Sequence, residues 1–168
     1  MKTDNVLATR PHKVIYRDGD KVWKVFDENY PKTDVLNEAL NQARVEETGL
    51  PIPRVHGVTV NEEGKWAIIS DYIEGETLAE KMAKDPENVE KYMKEFVEIQ
   101  LEIHDKTAPL LNKMKDKMSV RINSLKAVNA TTRYELSTRL ESMPKHKKVL
   151  HGDFNPTNVV IDKEGKYY

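Results

Sequence analysis

Residues 149–162 read Val149-Leu150-His151-Gly152-Asp153-Phe154-Asn155-Pro156-Thr157-Asn158-Val159-Val160-Ile161-Asp162, and no other stretch restricts the chain as much. A short apolar run leads into a polar loop. Val159-Val160-Ile161 behind the loop has the composition of a short buried strand. The loop carries an acid, Asp153, and an amide, Asn158, five positions further on. Pro156 fixes its own φ and disfavours helix at Asn155, so the loop is stiff before Asn158 arrives. An acid and an amide at this spacing suit phosphoryl transfer: the acid accepts the proton of an attacking hydroxyl, and the amide oxygen ligates a Mg²⁺ on nucleotide phosphates. The competing reading is a strand-loop turn capped by His151 and Asp153. Such a turn needs no Asn five residues on and no strand behind it.

The catalytic loop of protein kinases is written His-Arg-Asp-x-x-x-x-Asn, and here the same slots hold His151-Gly152-Asp153 and Asn158. This resembles the aminoglycoside phosphotransferase / choline kinase superfamily, whose hallmark is His-Gly-Asp with Asn at this spacing. Gly152 replaces the Arg with which protein kinases read activation-loop phosphorylation, so the resemblance points away from kinases regulated in that way. It implies an α+β, protein-kinase-like fold: a small antiparallel-sheet N-lobe, residues 1–73, ending in a hinge, and a partial, mainly helical C-lobe, residues 74–168. It also implies Asp153 as catalytic base, Asn158 as Mg²⁺ ligand and His151 as the residue that orients the loop. The reaction would be ATP- or GTP-dependent phosphorylation of a hydroxyl on a small molecule such as an aminoglycoside, choline, ethanolamine or a sugar.

The first part of the chain reads as hairpins. Lys13-Val14-Ile15-Tyr16-Arg17 and Lys21-Val22-Trp23-Lys24-Val25-Phe26 flank Asp18-Gly19-Asp20, a strong turn signal because Gly tolerates positive φ. Val22, Lys24 and Phe26 share one strand face, which puts Lys24 between two apolar neighbours. Lys24 is thus either an edge lysine that blunts strand pairing or the strand lysine that grips phosphates. A helix follows over 33–48, with Thr33 or Asp34 as its cap and Val35, Leu36, Ala39, Leu40 and Ala43 as its buried stripe; Gly49 and Pro51 stop it. Glu38 borders the stripe. Glu38-Ala39 resembles the Glu-Ala of the family's first helix, which implies that Glu38 holds Lys24 against the phosphates. Glu46 and Glu47 read as solvated acids of the last turn. Leu50-Pro51-Ile52-Pro53-Arg54-Val55 resembles the family's Pro-x-Pro approach to the next strand. Val58-Thr59-Val60 and 65–70 then flank a second turn at Asn61-Glu62-Glu63-Gly64, giving about five strands and one helix.

Asp71-Tyr72-Ile73-Glu74-Gly75-Glu76-Thr77-Leu78 looks like the family's hinge, where a strand gives way to a Glu-Gly turn and a short helix. The resemblance implies that the Asp71 carbonyl and the Ile73 amide bond adenine; the alternative is a plain linker. Residues 89–106 form the clearest helix, and His104 near its end reads as packed rather than catalytic. Leu110, Leu111, Met114, Met118, Ile122 and Leu125 recur at helical spacing, which makes the Met stripe core, and Thr131 or Thr132 is the expected cap of a further helix. The lysines at 113, 115, 117, 145, 147 and 148 read as a solvated face. If they line the acceptor cleft, their charge counts against a cationic acceptor.

A net charge of -1 gives no electrostatic case for nucleic acid or an anionic membrane as partner. With no Cys there is no disulfide framework, and a reducing cytoplasm is the expectation. The first seven residues show no apolar signal-peptide core, and no apolar run approaches a membrane span. At the other end, Lys163-Glu164-Gly165 reads as a turn and Lys166-Tyr167-Tyr168 as the start of a strand pairing with 159–161. In the family that strand runs into Ile-Asp-Trp or similar, whose Asp is the second Mg²⁺ ligand. No residue here fills that slot by matching the motif, and Asp162 reads as the hairpin's cap. The expectation is a fragment with impaired activity and an apolar face open to self-association. Its rivals are a nucleotide-binding pseudokinase and a fragment with no ligand.

Overall fold

The computed structural model describes residues 5–168. Of the N-terminal stretch read for a leader, residues 1–4 lie outside the described residues, and Val6 and Leu7 open the first strand. Five antiparallel strands make one sheet: β1 Val6–Arg10, β2 Lys13–Asp18, β3 Lys21–Phe26, β4 Val55–Val60 and β5 Trp66–Asp71, in the order β1-β2-β3-β5-β4. The β2–β3 turn falls on Asp18-Gly19-Asp20, and Gly19 takes φ 64°, which a side chain would resist. β1 has no counterpart among the strands read from the sequence. It is an edge strand whose Val6 and Leu7 are exposed, so it carries no one-sided pattern.

Helix α1, Lys32–Glu46, crosses one face of this sheet between β3 and β4. It begins at Pro31, which serves as N-cap without a side-chain bond, and not at Thr33 or Asp34. Asp34 instead sits in the first turn, where its charge suits the helix dipole. Its buried face also differs from the expected stripe. Val35 and Ala39 join Phe26 and Ile68 in the core, whereas Leu36 and Leu40 are 41% and 49% exposed. The positions beside Val35 and Ala39 are polar, and each finds a partner. Gln42 donates to the Pro53 carbonyl at 2.7 Å, and Glu46 accepts from the Val55 amide at 2.7 Å. Glu46 is therefore a tie between α1 and β4 and not a solvated last-turn acid.

The second part has its own core of Leu78, Tyr92, Val159 and Ile161. β6, Gly75–Thr77, pairs antiparallel with β7, Val160–Asp162, so the expected Glu-Gly turn is in fact the start of a strand. Helix α2, Leu78–Lys84, opens with a reciprocal capping box between Thr77 and Glu80. Helix α3, Val89–Asp105, sends Tyr92, Phe96 and Ile99 into the core. Helices α4, Met114–Ser124, and α5, Ala130–Ser142, pack on each other and bury no residue fully. Met114 and Met118 are exposed, which corrects their reading as core. The cap of α5 is Asn129, whose side chain accepts from the Thr132 amide at 2.8 Å, and not Thr131 or Thr132. The last hairpin forms as read: Val160 and Tyr168 exchange backbone bonds of 3.0 and 2.8 Å. The Asp162 carboxylate accepts the Glu164 and Lys166 amides at 2.9 Å each, and so caps the turn. Among the described residues, no helix is long and apolar enough to cross a membrane.

Candidate functional site

In the β2–β3 register, Lys24 stands opposite Ile15 and Phe26 opposite Lys13; in the β3–β5 register, Lys24 faces Ile68. Side chains alternate along a strand, so Lys13, Ile15, Lys24, Phe26 and Ile68 share one face. That face lies under α1, where Phe26 and Ile68 pack on Val35 and Ala39. Glu38 meets the two lysines there. Lys24 Nζ lies 2.5 Å from Glu38 Oε1, and Lys13 Nζ lies 3.3 Å from both carboxylate oxygens. All three side chains are about three-quarters covered, at 25%, 25% and 26% exposure. Burial alone would raise the Glu38 pKa, but Lys24 and then Lys13 outweigh it and hold the carboxyl below its usual range. In the sequence Lys13 follows Thr9-Arg10-Pro11-His12, which holds no glycine run, and there it is either charge over the phosphates or an exposed loop residue. Its place beside Glu38 follows from strand register, which single-sequence alternation does not supply.

The loop between Val149 and Val159 is held by its own polar side chains. Gly152 sits at φ 86°, which favours glycine after His151. The Asp153 amide donates to His151 Nδ1 at 3.2 Å, so His151 does contact the loop backbone. Asn158 Nδ2 donates to the Asp153 carbonyl at 2.8 Å and to its carboxylate Oδ2 at 3.0 Å. Acid and amide thus form one unit. Asn155, not singled out in the sequence, organises the turn between them. Its side-chain oxygen accepts from the Thr157 amide at 3.0 Å and from the Thr157 hydroxyl, and its Nδ2 donates to the Asp153 carbonyl and carboxylate. The signal for it is Asn before Pro, a common way to start a turn. Phe154 fastens the loop to α3, stacked on Phe96 with centroids 4.2 Å apart and planes at 7°.

The residues read as a hinge, Asp71 and Ile73, stand at and just past the end of β5. The Asp71 amide donates to the Arg54 carbonyl at 3.0 Å, and the Tyr72 amide donates to the Asp20 carbonyl at 2.9 Å. Backbone groups two residues apart in an extended chain point the same way. The Ile73 amide therefore faces away from β3, and it has no partner among the described residues. The Asp71 side chain is occupied: its carboxylate lies 3.0 Å from Lys21 Nζ and 2.5 Å from His56 Nε2, and it accepts the Arg54 amide at 3.1 Å. Lys163 Nζ bonds Glu74 at 2.9 Å and ties the hinge to the last hairpin. A pocket of about 270 Å³ lies there, lined by Tyr72, Ile73, Glu74, Asp162, Lys163 and Tyr168 among others.

The site residues are thus brought together as pairs, Lys24 with Glu38 and Asp153 with Asn158. Among the described residues, no hydrogen bond or ion pair links the first pair to the loop. No group of three or more acidic or His side chains is poised to hold a metal among them either. The donor the loop offers a hard cation is the Asn158 amide oxygen, which takes no bond from the described residues, beside the Asp153 carboxylate. One such neutral oxygen fits Mg²⁺, which keeps several waters and phosphate oxygens around it.

A five-stranded antiparallel sheet under one helix, joined to a helical part that carries a His-Gly-Asp loop, is the kinase-like α+β fold. The phosphotransferase enzyme family model matches residues 10–167, and the chain belongs to that family. Among solved structures, the fold is similar to that of a thermostable mutant of the aminoglycoside phosphotransferase APH(4)-Ia in its apo form, with a TM-score of 0.63 at 17% identity. That match covers 96% of this chain and 63% of the other, so the chain spans less than two thirds of that relative's length. No curated protein matches.

Proposed function

We propose that this chain carries the nucleotide-binding and catalytic elements of a small-molecule kinase. It would transfer the γ-phosphoryl group of ATP or GTP to a hydroxyl of an acceptor such as an aminoglycoside, choline or a sugar. The observation that carries the reading is the Asp153–Asn158 unit, an acid and an amide in contact on a loop whose side chains fix its shape. The Lys24–Glu38 pair on the sheet supports it independently.

Residues 1–73 then form the nucleotide lobe and 74–168 the catalytic part. Lys24 grips the α- and β-phosphates and Glu38 holds Lys24 in place. The Asp71 carbonyl and the Ile73 amide bond adenine. His151 orients the loop through the Asp153 amide. Asp153 accepts the acceptor's hydroxyl proton as its oxygen bonds the γ-phosphorus and the bond to the β–γ bridging oxygen breaks. Asn158 Oδ1 is this chain's ligand for Mg²⁺, which supplies charge neutralisation on the phosphates when bound.

The test is a melting series with ATP and GTP, with and without Mg²⁺, on the parent chain, Lys24→Met and Asp153→Asn. A ligand at a hundred times its Kd stabilises the native state by about 2.7 kcal/mol. A Mg²⁺-dependent rise in the parent and in Asp153→Asn, lost in Lys24→Met, is the expected pattern. With an acceptor panel, Asp153→Asn removes transfer; transfer at the parent's rate in that variant would refute the mechanism. A non-catalytic nucleotide binder, the second reading, predicts the same melts and no transfer by the parent.

A further inference from the structure

Two ammonium groups share one carboxylate beneath α1. Lys13 and Lys24 each carry one positive charge and Glu38 one negative, so the cluster is left with a net positive charge although its side chains are about three-quarters covered. The two contacts are unequal. Lys24 lies 2.5 Å from Oε1, closer than the usual charge-assisted hydrogen bond, whereas Lys13 straddles both oxygens at 3.3 Å, beyond that usual range. Glu38 is thus committed to Lys24, and Lys13 holds the surplus charge. An ammonium has three donors, so Lys13 keeps capacity for a further acceptor. A surplus cation three-quarters covered is costly without a counter-charge, and an anion completes the cluster.

The turn above the cluster shows why a side chain is needed there. Pro11-His12 joins β1 to β2 without a glycine run. Phosphate-cradling loops work through successive backbone N–H groups. Here Pro11 has no N–H, and His12, held at φ 66°, has its ring on Asp27 at 2.8 Å. The turn is short of backbone donors, and Lys13 is the first residue of β2 behind it.

We propose that Lys13 is a second polyphosphate-binding lysine, forming with Lys24 a two-ammonium anion site around Glu38 that takes the phosphate chain of the nucleotide. The proposal rests on the nucleotide reading above. It assigns to a strand lysine the phosphate contact that a glycine-rich loop would make through its backbone.

The experiment is calorimetric titration of the full chain with tripolyphosphate, Mg²⁺-ATP and adenosine, comparing the parent with Lys13→Met, Lys13→Gln, Lys13→Arg and Lys24→Met. Melting temperatures are recorded for each. The expected result is a loss of at least tenfold in affinity for tripolyphosphate and Mg²⁺-ATP in Lys13→Met and Lys13→Gln. Adenosine binding stays at the parent's value, the salt dependence of ATP binding becomes shallower, and Lys13→Arg keeps most of the affinity. If Lys13→Met and Lys13→Gln bind both phosphate ligands as the parent does while Lys24→Met does not, Lys13 only pairs with Glu38. The proposal then falls and the nucleotide reading stands. If adenosine binding drops together with that of ATP and the melting temperature falls, Lys13 is a structural prop and the proposal also falls. If the parent binds none of the three ligands, both readings fall.

Discussion

Gly75 lies against the backbone of Ile161 so closely that a Cβ built on it would overlap the Ile161 carbonyl oxygen and come within 2.7 Å of its carbon. The two residues belong to the β6–β7 pair, which joins the segment after β5 to the strand behind the loop. Backbone cannot yield as a flexible side chain can. Gly75→Ala therefore costs roughly 1–3 kcal/mol through overpacking. Urea unfolding of the variant should show a lower midpoint at unchanged slope. Gly57→Ala, where nothing lies near the added carbon, is the control and should cost far less.

Asp71 links the acid stability of the sheet to the end of β5. Burial alone would raise its pKa, but hydrogen bonds from His56, Lys21 and the Arg54 amide outweigh this and bring it from 3.8 to about 2. A carboxyl with a depressed folded-state pKa contributes stability that is fully present above its unfolded value and is lost as pH falls through the folded one. The window here is therefore about pH 4 down to 2, with an upper contribution of roughly 2 kcal/mol. Asp71→Asn should remove that part of the acid limb in a pH series of thermal melts. The variant should still bind nucleotide, because the adenine contact assigned to Asp71 is its carbonyl. An acid limb identical to the parent's would show that the cluster with Lys21 and His56 contributes nothing to folding.

The polar loop at 151–158 was legible in the sequence because its contacts are local: His151, Asp153 and Asn158 are fixed by spacing, and Pro156 announces the turn. The β2–β3 hairpin was legible from Gly19, and Lys24 from its apolar strand neighbours. What stayed hidden depends on what faces each element. Amphipathic reading assumes that polar residues point outward, so it chose Leu36 and Leu40 for the core of α1. The sheet side, however, offers the Pro53 carbonyl and the Val55 amide to Gln42 and Glu46, and these polar groups turn inward to meet them, as Glu38 does toward Lys24. The partner of Lys13 stayed hidden for the same reason, since it is set by the pairing of Lys13 with Phe26 across two strands. The methionines of α4 were misread because periodicity gives a face but not whether anything covers it.

The stacked pair Phe96–Phe154 is the loop's attachment to α3. Offset or stacked aromatic pairs contribute about 0.5–1.5 kcal/mol beyond their buried area. Phe154→Ala should lower stability by about 2 kcal/mol, because the ring is only partly buried. Its distinctive effect is on order: hydrogen exchange at residues 155–158 should quicken more than exchange in the sheet. Nucleotide affinity should hold while turnover falls, and Phe154→Leu should lie between. Equal quickening in the sheet and the loop would mean that the pair supports the whole fold and not the loop in particular.

Helix α3 carries a second face that its core does not use. Tyr92, Phe96 and Ile99 pack inward, while Met93, Val97 and Leu101 follow one another at four-residue spacing with 41%, 47% and 61% exposure. Residues at that spacing form one continuous stripe on a helix. Apolar stripes of this kind mark contact surfaces, and burying each side chain against a second copy would stabilise by about 1–2 kcal/mol. The chain should therefore associate with itself as concentration rises, seen in sedimentation velocity as a shift to faster species. Val97→Lys combined with Leu101→Glu should hold it monomeric and shift the melting temperature little, since exposed substitutions change stability by about half a kcal/mol or less. Association that persists in the double variant would move the contact to another apolar surface, such as the exposed Met114, Met118 and Val120 of α4. A parent that stays monomeric at high concentration would show that water covers the stripe without penalty.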